Sequence, residues 1–312
     1  MTGSVPLEFT GERFTPECVR EIWYEHWHRY ALVQPWAQGR RVLDAACGEG
    51  YGSALLARGA QSVLGLDISP AAVAHARARY ADQANLRYEQ ADATRLQLPA
   101  GAFDLVVSFE TLEHVEAQDE LLDGLCHALA DDGLLVISSP DKATYGEAAG
   151  FRNEFHVREL YRHEFEQLLR ARFPHVRLYA QRLLFQSAVW ALDPALGAEP
   201  AHYATASLDG QVQPGLDYAP MYYIAVCSRR PLPPLPASSW FGDRDESVYQ
   251  HYNHEIRKNM AAGARIAELE AQVAQLQREQ AAAAAPVLTS APAPDAVLPA
   301  RPWWQRWRSR GR

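Results

Sequence analysis

A glycine-rich turn near residue 48 is the clearest candidate for ligand binding in this sequence. The apolar run Val42–Ala46 leads into Cys47-Gly-Glu-Gly, and a helical pattern starts directly after it. Gly48 and Gly50 have no Cβ, so the backbone can turn tightly and a ligand can approach it closely. Because Gly-x-Gly turns are common, the interpretation depends on the residues at the ends of the neighbouring strands.

Two carboxylates follow the next two predicted strands. Asp67 ends the run Val63–Asp67, about twenty residues after the turn, where a carboxylate can accept hydrogen bonds from both hydroxyls of a ribose. Asp92 comes after the next run, one strand–helix unit later. This order predicts that the turn and the two acids bind one ribose-containing ligand.

An α/β pattern positions these residues. Residues 1–230 alternate short β-branched or Leu-rich runs with amphipathic stretches, the pattern of a parallel sheet flanked by helices. Strands are predicted at Arg41–Asp44, Ser62–Asp67, Leu86–Gln90, Phe103–Phe109, Leu134–Ser138, Val176–Leu184 and Met221–Ser228. Helices are predicted at Ile22–Gln38, Ser53–Arg58, Pro70–Tyr80, Asp119–Leu129 and Val157–Arg172. We therefore predict a doubly wound, seven-stranded α/β sheet.

The segment from Glu12 to Arg229 resembles the class I S-adenosylmethionine-dependent methyltransferases. V-L-D-A-A-C-G-E-G-Y-G is similar to the first motif of that family, and F-D-L-V-V-S-x-E-x-L-E-H to its fourth-strand motif. Gly48, Gly50 and Gly52 fit this family better than the dinucleotide fold, which uses G-x-G-x-x-G at a pyrophosphate. The resemblance implies a Rossmann-like fold with the last strand inserted antiparallel, and S-adenosylmethionine as cofactor.

The resemblance also implies which residues contact the cofactor. Asp67 is expected to bind the ribose and Asp92 the adenine amino group, with Ala93 beside it. The methionine part is expected to be lined by Asp44, Gly48 and Gly50, and the far wall to be formed by Phe109 and Glu110. The full set, from the methionine part to the far wall, is Asp44, Gly48, Gly50, Asp67, Ile68, Asp92, Ala93, Phe109 and Glu110. The alternative is that these residues form only turns and helix caps.

Two further stretches resemble methyltransferases found in bacterial polysaccharide and O-antigen gene sets. Thr10–Pro16 followed by Glu25–Tyr30 is similar to their N-terminal lid, and Asn153–Glu159 to their N-x-F-H-x-x-E stretch, with Glu154 where proline is usual. The implied acceptor is a sugar hydroxyl of a surface polysaccharide. The alternatives are a quinone or secondary metabolite as acceptor, or a catalytically silent cofactor-binding scaffold.

Histidines are the candidates for the chemistry of methyl transfer. His156, in the loop after the fifth strand, is the preferred base for removing the proton of a hydroxyl; the alternative is that it anchors its loop. His114 could face the substrate or serve as a cap. His26 and His28 are two residues apart on a predicted helix, hence on different faces, and are unsuited to a shared metal. The sequence shows no clear set of metal ligands, so we predict no metal site; the alternative is a divalent metal, which some of the sugar methyltransferases that the chain resembles use.

The insertion Phe185–Pro220 is too long for a plain connection between strands. Such loops usually cover a substrate site, so we expect it to form one wall of the acceptor pocket. The alternative is a surface excursion.

Composition limits the other functions open to the chain. A net charge of −8 over 312 residues argues against nucleic-acid binding. The four cysteines show neither a C-x-x-C pair nor metal-ligand spacing, and Cys126 and Cys227 are expected to be buried free thiols. With no signal-peptide pattern and no apolar run of spanning length, we expect a cytoplasmic protein.

The C-terminal third differs in composition from residues 1–230. Residues 231–252 are predicted to form a Pro-rich linker, extended rather than packed. Residues 253–283 are predicted to be helical, and Ile266, Leu269, Val273 and Leu276 have a/d spacing. The helix is expected either to self-associate as a short coiled coil or to remain single and solvated.

Residues 284–312 are predicted to be a disordered tail. They begin Ala/Pro-rich and end in Arg301–Arg312, which holds five arginines and three tryptophans. That ending fits a peripheral anchor at the inner membrane, with indoles at headgroup depth and arginines on anionic lipid. The alternatives are an inert tail and, less favoured, a basic contact with RNA.

Overall fold

The computed structural model describes residues 21–150, 153–188, 203–208 and 211–284. The chain divides into two units, residues 1–249 and residues 250–312. The first unit contains the predicted site residues, and the described part of the second is helical.

A seven-stranded mixed sheet forms the centre of the first unit. Its strands, in chain order, are β1 (Arg41–Ala45), β2 (Ser62–Asp67), β3 (Leu86–Gln90), β4 (Phe103–Ser108), β5 (Leu129–Pro140), β6 (His175–Gln181) and β9 (Tyr222–Ser228). The spatial order is β3-β2-β1-β4-β5-β9-β6, with β9 antiparallel to both of its neighbours and the pairs from β3 to β5 parallel. The predicted doubly wound sheet with an inserted antiparallel last strand is confirmed.

Helices cover both faces of the sheet. They are α1 (Glu21–Val33), α2 (Tyr51–Ala57), α3 (Pro70–Arg79), α4 (Gln118–Ala128) and α5 (Arg162–Arg170). Short 3₁₀ turns lie at Gln34–Ala37, Ala93–Arg95 and Leu112–His114, and a π-helical turn lies at Lys142–Ala148. Two strands of the insertion, β7 (Ala204–Ala206) and β8 (Val212–Pro214), pair as a separate hairpin.

The apolar runs of the strands are explained by burial on both faces. Val42 belongs to the cluster that includes residues of α1 and α2, whereas its neighbour Leu43 belongs to the cluster that includes residues of α4 and α5. Val107 and Val106 on β4 divide in the same way. Successive side chains of a strand point to opposite faces, so a sheet covered on both sides requires continuous apolar runs.

The structure corrects the predicted start of the helix after β5. We predict it from Val157, but α5 begins at Arg162. The amides of Val157 and Arg158 instead donate to the carbonyl of Glu113, at 2.8 and 3.0 Å. The Glu164 carboxylate accepts from the amide of Tyr161, which fixes the first turn of the helix there.

The prediction that the Pro-rich segment is extended rather than packed is wrong. The segment lacks regular structure, but Leu232 and Leu235 pack against the core and the carbonyl of Pro236 accepts a hydrogen bond from the Tyr179 hydroxyl at 2.8 Å. The segment also ends earlier than residue 252. Helix α6 (Ser247–Ala284) begins at Ser247, whose amide donates to the Asp243 carboxylate at 2.6 Å.

In the second unit, the predicted helix is confirmed by α6. The a/d residues are all exposed, namely Ile266, Leu269, Val273 and Leu276. Within the described part of the chain, no helix combines the length and apolar character needed to cross a membrane. The Ala/Pro-rich segment and the Trp/Arg ending lie outside the described residues.

Candidate active site

A cleft of about 490 Å³ lies at the carboxyl edge of the parallel strands. It brings together most of the residues singled out from the sequence, which are Gly48, Asp67, Ile68, Asp92, Ala93, Phe109, Glu110, His114 and His156. Asp67 is the last residue of β2 and Asp92 follows β3, while the histidines follow β4 and β5. The strand order therefore places the acids and the histidines along one edge, on opposite sides of β1.

The glycine turn is held by its neighbours rather than by its own sequence alone. Gly50 has φ of +92°, and a Cβ there would lie 2.7 Å from the Tyr88 ring. The Tyr88 hydroxyl donates to the Gly50 carbonyl at 2.6 Å. Gly50 itself does not line the cleft, so this glycine shapes the turn that Gly48 presents to a ligand.

Asp67 is oriented by two backbone amides. Its Oδ2 accepts from the Gly48 amide at 2.9 Å and its Oδ1 from the Ser69 amide at 2.8 Å. Each carboxylate oxygen has a second lone pair, so both can still accept from hydroxyls. The carboxylate is thus preorganised for the ribose role predicted for it.

Asp92 lies at the start of the short turn after β3. Its Oδ1 accepts from the Thr94 amide at 2.9 Å and from the Thr94 hydroxyl at 2.7 Å, and these bonds hold the pKa of the carboxyl below its usual value. An ionised acceptor suits an amino group. Ile68, 65% exposed, lines the same cleft and offers an apolar surface to a flat ring.

Asp44 lies behind the cleft instead of lining it. Its carboxylate is fully buried and accepts from the Ser53 hydroxyl at 2.6 Å and the Tyr30 hydroxyl at 3.1 Å. Desolvation raises its pKa to about 7, despite these two hydrogen bonds. The described geometry therefore gives Asp44 a supporting position, in contrast to the direct cofactor contact that the resemblance implies.

Tyr30 is a site residue that the sequence reasoning missed. It lines the cleft from α1, packs against Phe109 with ring centroids 5.0 Å apart, and reaches Asp44. A Cβ on Gly52 would lie 2.0 Å from the Tyr30 ring. Gly52, the third glycine of the motif, therefore leaves room for α1, the helix that contains the lid-like stretch Glu25–Tyr30. The sequence could have suggested this role only if the motif and that stretch had been assumed to pack together.

Glu110 occupies a strained backbone position at the cleft. Its φ is +48°, rare for a residue with a Cβ. Its amide donates to the Ser138 hydroxyl, which in turn donates to its Oε1 at 2.6 Å, and the Arg29 guanidinium lies 3.5 Å from the same oxygen. Strain of this kind persists only where surrounding contacts impose it. Buried Arg29 was not anticipated, because its partners are distant in sequence.

The two candidate catalytic histidines are in contact. The rings of His114 and His156 have centroids 4.9 Å apart, and Glu113, only 1% exposed, lies beside them. His114 Nδ1 lies 3.1 Å from the carbonyl oxygen of Phe155, and His156 Nδ1 lies 2.6 Å from Oε1 of Glu159. The Asn153–Glu159 stretch is thereby joined to the turn after β4.

Helix α1 separates the other two histidines as predicted. His26 lines the cleft, and burial, with the nearby Arg29 charge, holds its pKa well below the usual value. His28 lines a second cavity, where its Nε2 lies 3.0 Å from the Ser239 hydroxyl and burial lowers its pKa to about 4. The two rings therefore share no site.

Three described residues of the insertion line that second cavity. Leu216, Tyr218 and Pro220 line it together with His28 and the end of the Pro-rich segment. None of the described insertion residues, 185–188, 203–208 and 211–220, lines the cleft that holds Asp67 and His156. The described part of the insertion therefore does not line that cleft, and its predicted role as a wall of the acceptor pocket stays a prediction.

Part of the first unit is similar to a known protein family. The model of a family described as a methyltransferase domain matches residues 43–137, which include the glycine turn, Asp67, Asp92 and the Glu113–His114 pair. A probable S-adenosylmethionine-dependent methyltransferase of Mycobacterium tuberculosis is 36% identical over 166 residues, 52% of this chain and 60% of that protein. The chain thus spans less than two thirds of that relative.

Two further similarities are more distant. The mitochondrial ubiquinone biosynthesis O-methyltransferase of Schizosaccharomyces pombe is 31% identical over 140 residues, 43% of this chain and 51% of that protein. Among solved structures, the YcgJ protein of Bacillus subtilis is 19% identical, with a TM-score of 0.47, over 66% of this chain and 100% of that one.

Proposed function

We propose that the chain carries a class I S-adenosylmethionine-dependent methyltransferase domain and uses it to methylate a hydroxyl group of a small molecule. One observation supports this proposal above the others. A single cleft joins the amide-held carboxylate of Asp67 to the histidine pair His114 and His156. The Asp67 carboxylate can hold the ribose of S-adenosylmethionine, and the histidine pair can bind the acceptor hydroxyl.

The cofactor would be held by residues on the β1–β3 side of the cleft. Asp67 accepts the ribose hydroxyls, Asp92 accepts from the adenine amino group, and Ile68 and Ala93 pack beside the base. The turn at Gly48 would hold the methionine part, and Asp44 would support this turn from behind. Phe109 and Glu110 would form the far wall, since both line the cleft and the Tyr30 ring contacts Phe109.

Methyl transfer from the sulfonium is an in-line displacement, so catalysis consists mainly of positioning. The C–S bond breaks, the O–C bond forms, the sulfur keeps the electron pair, and the hydroxyl loses its proton. His156 and His114 each direct Nδ1 to an oxygen of the protein, which leaves Nε2 as the second ring nitrogen of each. Such a nitrogen can take the hydroxyl proton, as predicted for His156, or bind a cation that makes the hydroxyl acidic.

A sugar hydroxyl is the acceptor we favour. The support is the resemblance of Asn153–Glu159 to the stretch found in methyltransferases of polysaccharide gene sets, together with the position of Asn153 and His156 on the cleft. A quinone-type phenol is the second candidate, favoured by the similarity to ubiquinone biosynthesis O-methyltransferases. Supplying each acceptor class to the protein with labelled cofactor would distinguish them.

The experiment that tests the activity measures transfer of a radiolabelled methyl group from S-adenosylmethionine to a panel of glycan and phenolic acceptors. His156→Ala is expected to reduce turnover by about 10²-fold or more while cofactor affinity, measured by calorimetry, stays near the wild-type value. His127→Ala is the matched control, since His127 is exposed on α4. Near-normal turnover of His156→Ala would limit His156 to anchoring its loop.

We also propose that the C-terminal segments mediate self-association and bring the enzyme to the membrane surface. We assign residues 1–230 to the methyltransferase domain, 253–283 to a helix that self-associates through its exposed a/d residues, and 284–312 to a tail. The exposure of the four a/d side chains of α6 supports self-association. The composition of Arg301–Arg312 supports peripheral contact of a cytoplasmic enzyme with the inner membrane.

A further inference from the structure

We propose that Glu113, His114 and His156 bind a divalent first-row transition-metal cation in the cleft. Each residue offers one ligand atom, and the three atoms lie within 4.8 Å of one another. Ligands at about 2.1 Å from a cation are about 3–3.5 Å apart, so small rotations of the side chains close the set. The sequence shows no such set, because His156 lies 42 positions beyond His114.

Hydrogen bonds orient both histidines for this role. The carbonyl oxygen of Phe155 can only accept, so His114 Nδ1 carries the proton in their 3.1 Å contact. The carboxylate of Glu159 fixes His156 in the same way through its 2.6 Å contact with Nδ1. In both rings the lone pair is then on Nε2. A histidine that donates one ring N–H to a carboxylate or carbonyl and ligates through the other nitrogen is the usual arrangement at metal sites.

Packing restricts the motion of these ligands further. The Tyr145 ring stacks on His156 at 5.2 Å, and the side chain of His156 is only 8% exposed. The carbonyl of Glu113 accepts the amides of Val157 and Arg158, which ties the loop of one ligand to the turn that carries the other two. These contacts hold the three residues in place without using the side-chain atoms that would bind the cation.

The neighbouring carboxylate of Glu110 is excluded from the ligand set by its own partners. Its Oε1 accepts from the Ser138 hydroxyl at 2.6 Å and faces Arg29 at 3.5 Å. The Glu113 carboxylate instead lies beside imidazoles, with its Oε1 3.8 Å from Nε2 of His114. A carboxylate that is 1% exposed is costly to bury, and a bound cation offsets that cost.

Two imidazoles and one carboxylate suit zinc, manganese, iron, cobalt or nickel better than magnesium, which prefers oxygen ligands. Three protein ligands leave coordination positions for the acceptor, which points to a substrate with two adjacent oxygens, such as a vicinal diol or a catechol. This inference rests on the proposed function for its acceptor. The cation polarises the hydroxyl, whose proton passes to water as the O–C bond forms and the C–S bond breaks.

The test is titration of the full chain, freed of metal by chelation, with Mn²⁺ alone. We expect one bound Mn²⁺ per chain, and Mg²⁺ binding at least tenfold more weakly. His114→Ala, His156→Ala and the nearly isosteric Glu113→Gln should each lower Mn²⁺ affinity at least tenfold, and Glu159→Gln, which acts through His156, about tenfold. His127→Ala should leave it unchanged.

Titration with S-adenosylmethionine separates this inference from the proposed function. Variants that keep cofactor affinity are folded, so their loss of Mn²⁺ binding reports on the ligands. Absence of Mn²⁺ binding by the wild-type chain, or equal binding by the four site variants, overturns the metal site and leaves His156 as the base. Absence of cofactor binding instead overturns the proposed function.

Discussion

Replacing Asp67 by asparagine tests how the cleft holds the ribose of S-adenosylmethionine. Both oxygens of Asp67 are acceptors in the protein, from the Gly48 amide at 2.9 Å and the Ser69 amide at 2.8 Å. Asparagine keeps the shape but presents one NH₂ group, which cannot accept from an amide or a hydroxyl. The substitution therefore removes the charge, one ribose acceptor and one of the two bonds that shape the turn.

The expected loss is set by hydrogen bonds to a charged group, which contribute about 1.5–3 kcal/mol. Affinity for S-adenosylmethionine should fall by about 10- to 150-fold, since 1.4 kcal/mol corresponds to a factor of ten. Calorimetric titration of the full chain measures this, and S-adenosylhomocysteine should show a similar loss, because both molecules carry the same ribose.

The matched control is Asp82→Asn, because Asp82 is exposed. Its affinity should stay within twofold of the wild-type value. If Asp67→Asn also binds the cofactor within twofold of wild type, the ribose is held elsewhere and the orientation of the cofactor along β1–β3 is wrong.

Three further predictions concern packing, pH and the C-terminus. Gly52→Ala places a methyl group 2.0 Å from the Tyr30 ring and should lower the free energy of unfolding by about 1–3 kcal/mol in urea denaturation, whereas an unchanged midpoint would show that α1 shifts freely. Burial raises the pKa of Asp44 to about 7, so the folded state binds its proton more tightly than the unfolded state does. Stability relative to Asp44→Asn should therefore fall as pH rises from 3.8 to about 7, by at most ~1.4 kcal/mol per pH unit, and level off above; a parallel pH profile of the two proteins would contradict this. Deleting Pro302–Arg312 should abolish sedimentation with anionic vesicles and leave transfer to a soluble acceptor intact, and full-length protein that stays in the supernatant at low salt would refute the anchor.

Helix α1 contacts residues of both motifs that were identified in the sequence. Tyr30 contacts Phe109 on the far wall and donates to Asp44 behind the glycine turn. Arg29, one residue earlier on α1, is only 1% exposed and pairs with Glu110. Two successive residues of α1 therefore join the helix to both motifs of the domain.

The sequence by itself determined the strands and the residues at their ends. Apolar runs such as Val63–Asp67 predict buried strands because the pattern is local, and parallel strands all end at one edge of a sheet. Asp67, Asp92 and the turn at Gly48 could therefore be assigned to one cleft without coordinates. The inserted antiparallel strand came from resemblance to a known fold, since strand order depends on pairings that no local pattern records.

Only the tertiary structure decided which of these residues face the cleft and which support it from behind. Asp44 belongs to the predicted motif, yet the folded chain buries its carboxylate completely, and this desolvation raises its pKa even though the Tyr30 and Ser53 hydroxyls donate to it. The meeting of Glu113 and His114 with His156 depends on how the loop after β5 folds back onto the turn after β4. Side-chain direction, desolvation and contacts between distant segments are properties of the packed chain, and spacing along the sequence does not contain them.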